Sequence, residues 1–364
     1  MKVALVFLSG GGMSGGPARS LVMQIPLLVK HPEIERLDVF FPPAFRHMDG
    51  IEIPVHTWDF RDWMKGFSGL RARISELDPD VVFIPNGTWF DAGDIPVVCM
   101  VRNAEPLVAP FGRNSIAKGL KNLLKKKMAR KACRKSARVI AVSEFVRDIL
   151  VEKWNIDSGK ISVVPHGVQS PGPEIRPELP PGIGEGDFWF TAGSLVPYRG
   201  LEDIVEAVSM RPGEEKLVIA GASEDSDRYR KKMCRLAKKE KAEDRIVWPG
   251  KISAEQMTWC FRKAKAFIMT SRIEACPNIL MESMAAGAVS ISTKNPPMPE
   301  FYGDVPLYYE AGDAGGLAEQ IDAVLQMNDE GRQRIAEAAC RRAGLYTWKK
   351  NVEMIIENLR RVAE

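Results

Sequence analysis

Glu274 and Glu282 stand with seven residues between them in the segment SRIEACPNILME, which follows a short apolar run and leads into a helix-forming stretch. Glu274 falls in the strand-to-helix loop. Pro277 suits the first turn of the helix, where its missing N–H leaves no bond unmade. Glu282 then lies about one turn inside that helix. One acid on a loop and one on a helix face can grip separate hydroxyl-bearing parts of a single ligand, and the helix start between them offers free amides to an anion. A solvated surface role is the alternative for any glutamate. Here the helix continues SMAAGA, small and apolar, which predicts burial, and a buried carboxylate needs a partner.

Two glycine-rich loops offer the same anion chemistry. The first, SGGGMSGGP at residues 9–17, joins an apolar run to a helical pattern, with Arg19 just inside the helix as a further cation. Gly10, Gly12 and Gly15 formally satisfy the dinucleotide fingerprint G-x-G-x-x-G. That fingerprint also wants an acid at the end of the second strand. This strand ends in FFPP and carries Asp38 at its start, which argues against a nicotinamide dinucleotide. A tight turn without a ligand is the alternative. The second loop, GSLVPYRG at residues 193–200, also joins a strand to a helix. Its amides and the planar donor fork of Arg199 match the oxygens of a diphosphate. A capped helix start with a solvated arginine is the alternative for this loop taken alone.

The elements that must position these groups come from alternating patterns. Short runs rich in Val and Ile recur at residues 3–8, 37–41, 81–85, 96–101, 138–143 and 161–164, and helical patterns at 17–29, 61–77, 115–134 and 144–153. Such alternation predicts a parallel sheet covered on both faces. Residues 166–186 break the pattern with clustered prolines and glycines and read as a hinge. The alternation then restarts, with strands at 188–192, 216–220, 246–248, 266–270, 289–292 and 307–309. Helices are expected at 201–210, 226–241, 254–262, 278–286 and 317–327, and the chain closes with two helices that break near Thr347. A length of 364 residues also exceeds what one core usually fills. The expected architecture is α/β, with two Rossmann-like doubly wound domains facing across a cleft. Residues 1–165 form the first, residues 187–346 the second, and residues 347–364 pack back on the first.

Composition narrows the function classes. The net charge of +4 does not by itself imply nucleic acid. The six cysteines contain no CxxC pair, so buried free thiols are expected rather than zinc or disulfides. No run of about 18 apolar residues is present, and the opening MKVALVFLSGGG reads as a first buried strand rather than a signal peptide, so a cytoplasmic location is expected. From Lys118 to Arg138 there are ten lysines and arginines and no acid, with Leu120, Leu123, Leu124 and Met128 interleaved. A basic amphipathic helix of this kind suits an anionic membrane surface, and a solvated face is the alternative. It lacks the interleaved aromatics that would stack on nucleic-acid bases.

Taken together, the acid pair, the small-residue helix after it, the Gly15-Gly16 loop, Ser143 after RVIAV, VVPHGV, GSLVPYRG, WPGKIS and the closing Thr347-Trp348 resemble the retaining glycosyltransferases of family 4, with the GT-B fold. The resemblance spans essentially the whole chain. It implies a donor that is a nucleotide-diphosphate sugar and a glycan, glycolipid or lipid-linked acceptor. Arg199 and Glu274 would then be the catalytic pair, with Arg199 where the family has a phosphate-binding lysine and Glu274 on the donor sugar. Gly15, Gly16 and the amides near Asn278, Ile279 and Leu280 would meet the diphosphate or sugar, Glu282 the ribose, and Gly250, Lys251 and Ile252 the base. Ser194 stands where the family often has an arginine. A histidine common after a strand of the first domain is replaced by a stretch in which Arg102, Asn103 or Glu105 would serve the acceptor. His166 belongs to the hinge. Asp78-Pro79-Asp80 and Asp225-Ser226-Asp227 match the D-x-D of metal-dependent transferases only formally, and no metal or cofactor is expected. The implied function is a retaining hexosyl transfer to a hydroxyl, at the inner face of a membrane. The alternatives are a sugar-nucleotide epimerase and a catalytically silent partner subunit.

Overall fold

The computed structural model describes residues 1–8, 16–42, 54–58, 67–108, 116–178, 184–222 and 226–364. The chain divides into two compact units, Met1–Gly167 with Thr347–Glu364, and Val168–Tyr346.

The first unit is built on a parallel sheet of β1 (Lys2–Val6), β2 (Arg36–Phe41), β3 (Val55–Thr57), β4 (Val81–Ile84), β5 (Val97–Val101), β6 (Arg138–Ala141) and β7 (Ile161–Val163). Their order is β3-β2-β1-β4-β5-β6-β7. Val81–Ile84 and Val97–Val101 are buried throughout, the pattern of strands covered on both faces. The connecting helices are α1 (Gly16–Val29), α2 (Ser68–Glu76), α3 (Glu105–Val108), α4 (Ile116–Lys135) and α5 (Glu144–Asp148). Ser143 caps α5 by accepting from the Val146 amide at 3.1 Å. The segment expected as one helix over 144–153 instead passes from α5 into a π turn at Ile149–Lys153.

The second unit carries β8 (Phe188–Ala192), β9 (Lys216–Ala220), β10 (Ile246–Gly250), β11 (Phe267–Met269), β12 (Ser290–Thr293) and β13 (Leu307–Tyr309). All are parallel, in the order β10-β9-β8-β11-β12-β13. Around them lie α6 (Leu201–Ser209), α7 (Ser226–Lys239), α8 (Ala254–Lys263), α9 (Asn278–Ala285), α10 (Met298–Tyr302), α11 (Ala314–Gln326) and α12 (Asp329–Ala343). One face of this sheet packs Trp189, Leu217, Ile268 and Ile291 against Ile204, Val208, Leu317 and Ile321 from α6 and α11. Full burial of each such side chain contributes about 1.5–3 kcal/mol. In both sheets the direction of strand succession reverses once, between β1 and β4 and between β8 and β11. Open α/β sheets bind ligands outside the carboxyl ends of the strands at such a reversal.

The proline-rich stretch is held along the second unit where it is described. The Ile175 amide donates to Glu255 O at 3.2 Å and the Gly186 amide to Lys263 O at 2.8 Å. The chain returns to the first unit at Thr347, whose hydroxyl accepts from the Lys350 amide and starts α13 (Trp348–Ala363). α13 packs on α1 and on β4, β5 and β6. Buried Asn351 accepts from Gln24 Nε2 at 2.8 Å and donates to Pro165 O at 2.6 Å. A side chain at Gly167 would strike the backbone of Trp348 at 2.2 Å, so the return is tight enough to require glycine there.

Three short elements escape the sequence patterns. β3 is a half-exposed edge strand of three residues. α3 and α10 are single turns of four and five residues. The helix expected over 61–77 is described from Ser68, and residues 61–66 lie outside the described residues. Among the described residues no helix is long and apolar enough to cross a membrane.

Candidate functional site

The reversal point of the second sheet gathers the chemistry. The loop after β8 begins at Gly193, whose amide donates to Ala220 O at 3.0 Å. Gly221 follows β9, and a Cβ there would lie 1.9 Å from Gly193 O, so two backbones come together where only glycine fits. Gly200 closes the loop with φ 63°, and a Cβ on it would meet Thr270 O at 2.6 Å. The loop after β11 is therefore pressed against the glycine loop. Thr270 Oγ1 donates to Arg199 O at 2.5 Å, and the Arg272 amide donates to Tyr198 O at 2.8 Å.

That contact brings Arg199 to Glu274. Nη1 of Arg199 lies 2.9 Å from Oε1 of Glu274 and donates to Ser271 Oγ at 3.0 Å. The two side chains are 17% and 14% exposed, so the pair is shielded but still reaches solvent. Glu274 Oε1 is close enough for an ion pair yet lies off every N–H direction, and it has no hydrogen-bond partner; neither does Arg199 Nε. Donor and acceptor capacity therefore remains at the pair.

A second charged cluster braces both loops, and sequence reasoning missed it. Asp203, in the first turn of α6 and 3% exposed, accepts from Arg272 Nη2 at 2.7 Å. Its other oxygen accepts from the Gly312 amide at 2.8 Å and the Tyr309 hydroxyl at 3.3 Å. Burial and the adjacent Asp203 carboxylate push the Tyr309 hydroxyl far above its usual titration range. In the sequence Asp203 reads only as an acid complementing a helix dipole. No local signal pairs it with an arginine 69 residues away.

The remaining expected donor residues sit at the carboxyl ends of the same strands. Ser194 is exposed beside Gly193. Asn278 opens α9, with Ile279 and buried Leu280 behind it, and Glu282 is half-buried in the next turn. Pro277 stands immediately before α9 rather than within its first turn, in extended conformation, because its fixed φ serves equally as a lead-in. Gly250 is the last residue of β10, at φ 76°, and Lys251 and Ile252 follow it. Gly15 lies outside the described residues, and Gly16 is the first residue of α1 in the first unit.

The reversal point of the first sheet has another character. A cavity of about 490 Å³ opens there, walled by Phe7, Trp58, Phe67, Leu107, Leu124 and Met128. Arg102 and Asn103 line it; Glu105 does not. Arg102 donates to Ser20 Oγ at 2.7 Å. Asn103 Oδ1 accepts from the Glu105 amide at 3.1 Å, and Glu105 accepts from Asn122 of α4 at the same distance. Glu105 thus ties α3 to the basic helix. On α4, Leu120 and Leu124 are 57% and 55% exposed among the lysines.

Other motif residues have structural work. Asp38 is buried and accepts from Arg36 at 2.8 Å, with His56 at 3.4 Å. Asp78 pairs with the Lys2 ammonium and Asp80 accepts from the Lys2 amide, so both hold the start of β1. Asp225 lies outside the described residues. His166 stacks on Trp348 with centroids 6.2 Å apart. Cys99, Cys133, Cys260 and Cys276 are buried free thiols, whereas Cys234 and Cys340 are exposed. Among the described residues no group of three or more His, Cys, Asp or Glu could hold a metal ion.

Residues 181–342 match the family model described as Glycosyl transferases group 1, and residues 35–170 match that described as Glycosyltransferase Family 4. Alpha-monoglucosyldiacylglycerol synthase of Streptococcus pneumoniae is 27% identical over 239 residues, which cover 60% of this chain and 53% of that protein. The chain therefore spans about half the length of this curated relative. Among solved structures, Anabaena Alr3699/HepE in complex with UDP and glucose superposes with a TM-score of 0.77 at 16% identity, covering 99% of this chain and 100% of that one. The lipopolysaccharide outer core galactosyltransferase WaaB gives 0.66 at 19% identity, covering 98% and 99%. At such identities the likeness shows the fold.

Proposed function

We propose, from the premise that the chain belongs to the group 1 glycosyltransferases and has the GT-B fold, that it moves a hexose-type sugar from a nucleotide-diphosphate sugar to a hydroxyl of a glycan, glycolipid or lipid-linked acceptor, with retention at the anomeric carbon. A uridine nucleotide is the donor we favour, since HepE is described with UDP. The observation that carries the reading is the Arg199–Glu274 pair at 2.9 Å between two strand-end loops.

In this reading Glu274 accepts hydrogen bonds from donor-sugar hydroxyls. Arg199 and the amides at Asn278, Ile279 and Leu280 take the diphosphate, with Ser194 beside it. Glu282 takes the ribose, and Gly250, Lys251 and Ile252 flank the base. As the anomeric C–O bond breaks, its electron pair stays on the diphosphate, the acceptor hydroxyl oxygen bonds to the sugar carbon, and the hydroxyl proton passes to the leaving diphosphate oxygen. Charge grows on the leaving oxygen, so a guanidinium and helix-start amides stabilise the transition state more than the bound donor. These groups replace a metal ion, and the reaction uses no further cofactor. Arg102, Asn103 and Glu105 order the acceptor side. Peripheral attachment to an anionic inner membrane face is part of the proposal, supported by the exposed Leu120 and Leu124 set among the lysines of α4.

Thermal shift with a panel of nucleotides and nucleotide sugars tests the donor. Binding to the folded state raises the midpoint, by an amount set by concentration over Kd. UDP and at least one UDP-sugar are expected to raise it. No shift with any nucleotide sugar would remove the transferase reading of this site. Sugar released or epimerised without an acceptor would replace it with the epimerase reading.

A further inference from the structure

A larger cavity, of about 990 Å³, lies within the second unit and away from the donor residues. It opens beside residues 303–305, which lead into β13, and residues 326–328, which pass from α11 to α12. Because the sheet is parallel, this is the amino-end side of the strands, opposite the ends that carry Arg199 and Glu274. The remaining wall is one face of α12. Arg334, Ala338 and Arg341 stand at i, i+4 and i+7, so they share that face, and the small Ala338 leaves room between the two guanidinium groups. Arg342 lies beside them. Its Nε donates to Phe301 O at 2.8 Å and its Nη2 to Glu300 O at 2.7 Å, which fixes the plane of a third guanidinium. Gly303 lets the chain pass close to it, since a Cβ there would lie 3.3 Å from Arg342 Cζ. Among the described residues Arg334 and Arg342 have no carboxylate within ion-pair distance. Arg341 meets only the exposed Glu337, at 3.7 Å. Asp304, exposed in the facing loop, is in no ion pair among the described residues.

Guanidinium forks match phosphate oxygens. A bare phosphate or an acidic peptide would gain the cations but set its own charge against Asp304. A ligand with a phosphate at one end and hydroxyls at the other satisfies both, because a carboxylate accepts from hydroxyls. We propose that this cavity binds a sugar or polyol monophosphate. Arg334 and Arg341 hold the phosphate beside the fixed Arg342, and Asp304 accepts from the hydroxyls. The site is separate from the donor residues and does not depend on the transferase reading.

Calorimetric titration of the full chain with glucose 6-phosphate, glucose and inorganic phosphate tests this. Glucose 6-phosphate is expected to bind, inorganic phosphate about tenfold more weakly or less, and glucose with no measurable heat. A hydrogen bond to a charged group is worth about a factor of ten or more. The variant carrying Arg334→Gln and Arg341→Gln should therefore bind glucose 6-phosphate about a hundredfold more weakly. Both side chains are exposed, so folding is not at stake. Asp304→Ala removes the hydroxyl acceptor and should bring glucose 6-phosphate down to the affinity of inorganic phosphate. The assignment is overturned if glucose 6-phosphate does not bind or if inorganic phosphate binds wild type equally well. It is also overturned if the double variant binds glucose 6-phosphate like wild type, which would place the ligand elsewhere, at the donor residues included. UDP thermal shifts on the same samples keep the two readings apart. The double variant should retain the wild-type UDP shift, and a missing UDP shift in wild type sinks the donor site alone.

Discussion

The carboxyl ends of β1 and β4 and those of β8 and β11 occupy the same place in two sheets whose central strand order is the same. Their contents differ. At the second, Arg199 meets Glu274 and Arg272 meets Asp203, so two loops are cross-linked by charge. At the first, aromatic and aliphatic side chains surround an open cavity, and its cations are Arg102 after β5 and Lys121 and Lys125 of α4. The sheet order supplies a crevice in each case, and the loop residues decide what chemistry it offers. A glycine pair that lets two backbones touch, as at Gly193 and Gly221, makes the second edge compact. The first edge is wider because α3 and α4 stand beside the strand ends and present Leu107, Leu124 and Met128 to the space.

The strongest way to break this contrast is at Glu274. Glu274→Ala is expected to lower transfer by about 10²–10³-fold or more, with an unchanged circular dichroism spectrum. Wild-type turnover would mean that the charged edge is not where the sugar is held. Asp203→Asn tests the brace behind that edge. It leaves the guanidinium of Arg272 without its counter-charge and is expected to cost about 3 kcal/mol in chemical denaturation. Removing the stranded cation as well, Asp203→Asn with Arg272→Met, should recover part of that loss, since the amide oxygen still accepts from Gly312 and Tyr309. If the single change is as stable as wild type, the two loops are held by backbone contacts alone.

On the other edge the expected effects are smaller. Lys127→Gln with Lys131→Gln should weaken binding to vesicles containing phosphatidylserine by about thirtyfold at physiological salt, and leave neutral vesicles unaffected. Sedimentation at two salt concentrations reads this, and equal binding by the variant would leave α4 as a solvated face. The finest distinction concerns Tyr309. Its hydroxyl stays protonated in the folded state well above the usual tyrosine range. Above about pH 10 the unfolded chain therefore releases a proton that the folded chain keeps, and stability falls with rising pH. Tyr309→Phe removes that contribution. Between pH 10 and 11 the variant should lose about 1 kcal/mol less than wild type; an equal loss would show that Tyr309 ionises freely.

Strands with four or more contiguous apolar residues, such as VVFI and VVCMV, were legible because burial on both faces leaves no polar position. VHT was not, since a three-residue edge strand is half exposed and carries no period. EPLV and MPEFY were missed because four or five residues with an internal proline show no helical periodicity. In the candidate site, the spacing of Glu274 and Glu282 and the glycine loop are local features of the sequence. Asp203 was not legible, because its partners Arg272, Tyr309 and Gly312 come from other strand ends. Arg102 and Asn103 were singled out from family resemblance, and the structure sets them in a cavity whose apolar walls come from five separate segments.

By itself the amino-acid order determined the repeated strand–helix alternation, the break between two units and the residue types at each strand end. Those are short-range properties, set by hydrophobic period, by glycine and proline, and by which side chains can carry charge. Tertiary structure alone decided that Arg199 meets Glu274 and that Asp203 holds Arg272. It also decided that the lysines of α4 border an apolar cavity rather than open solvent. Such pairings depend on which strand ends lie side by side, and parallel crossover connections join neighbours that are tens of residues apart along the chain.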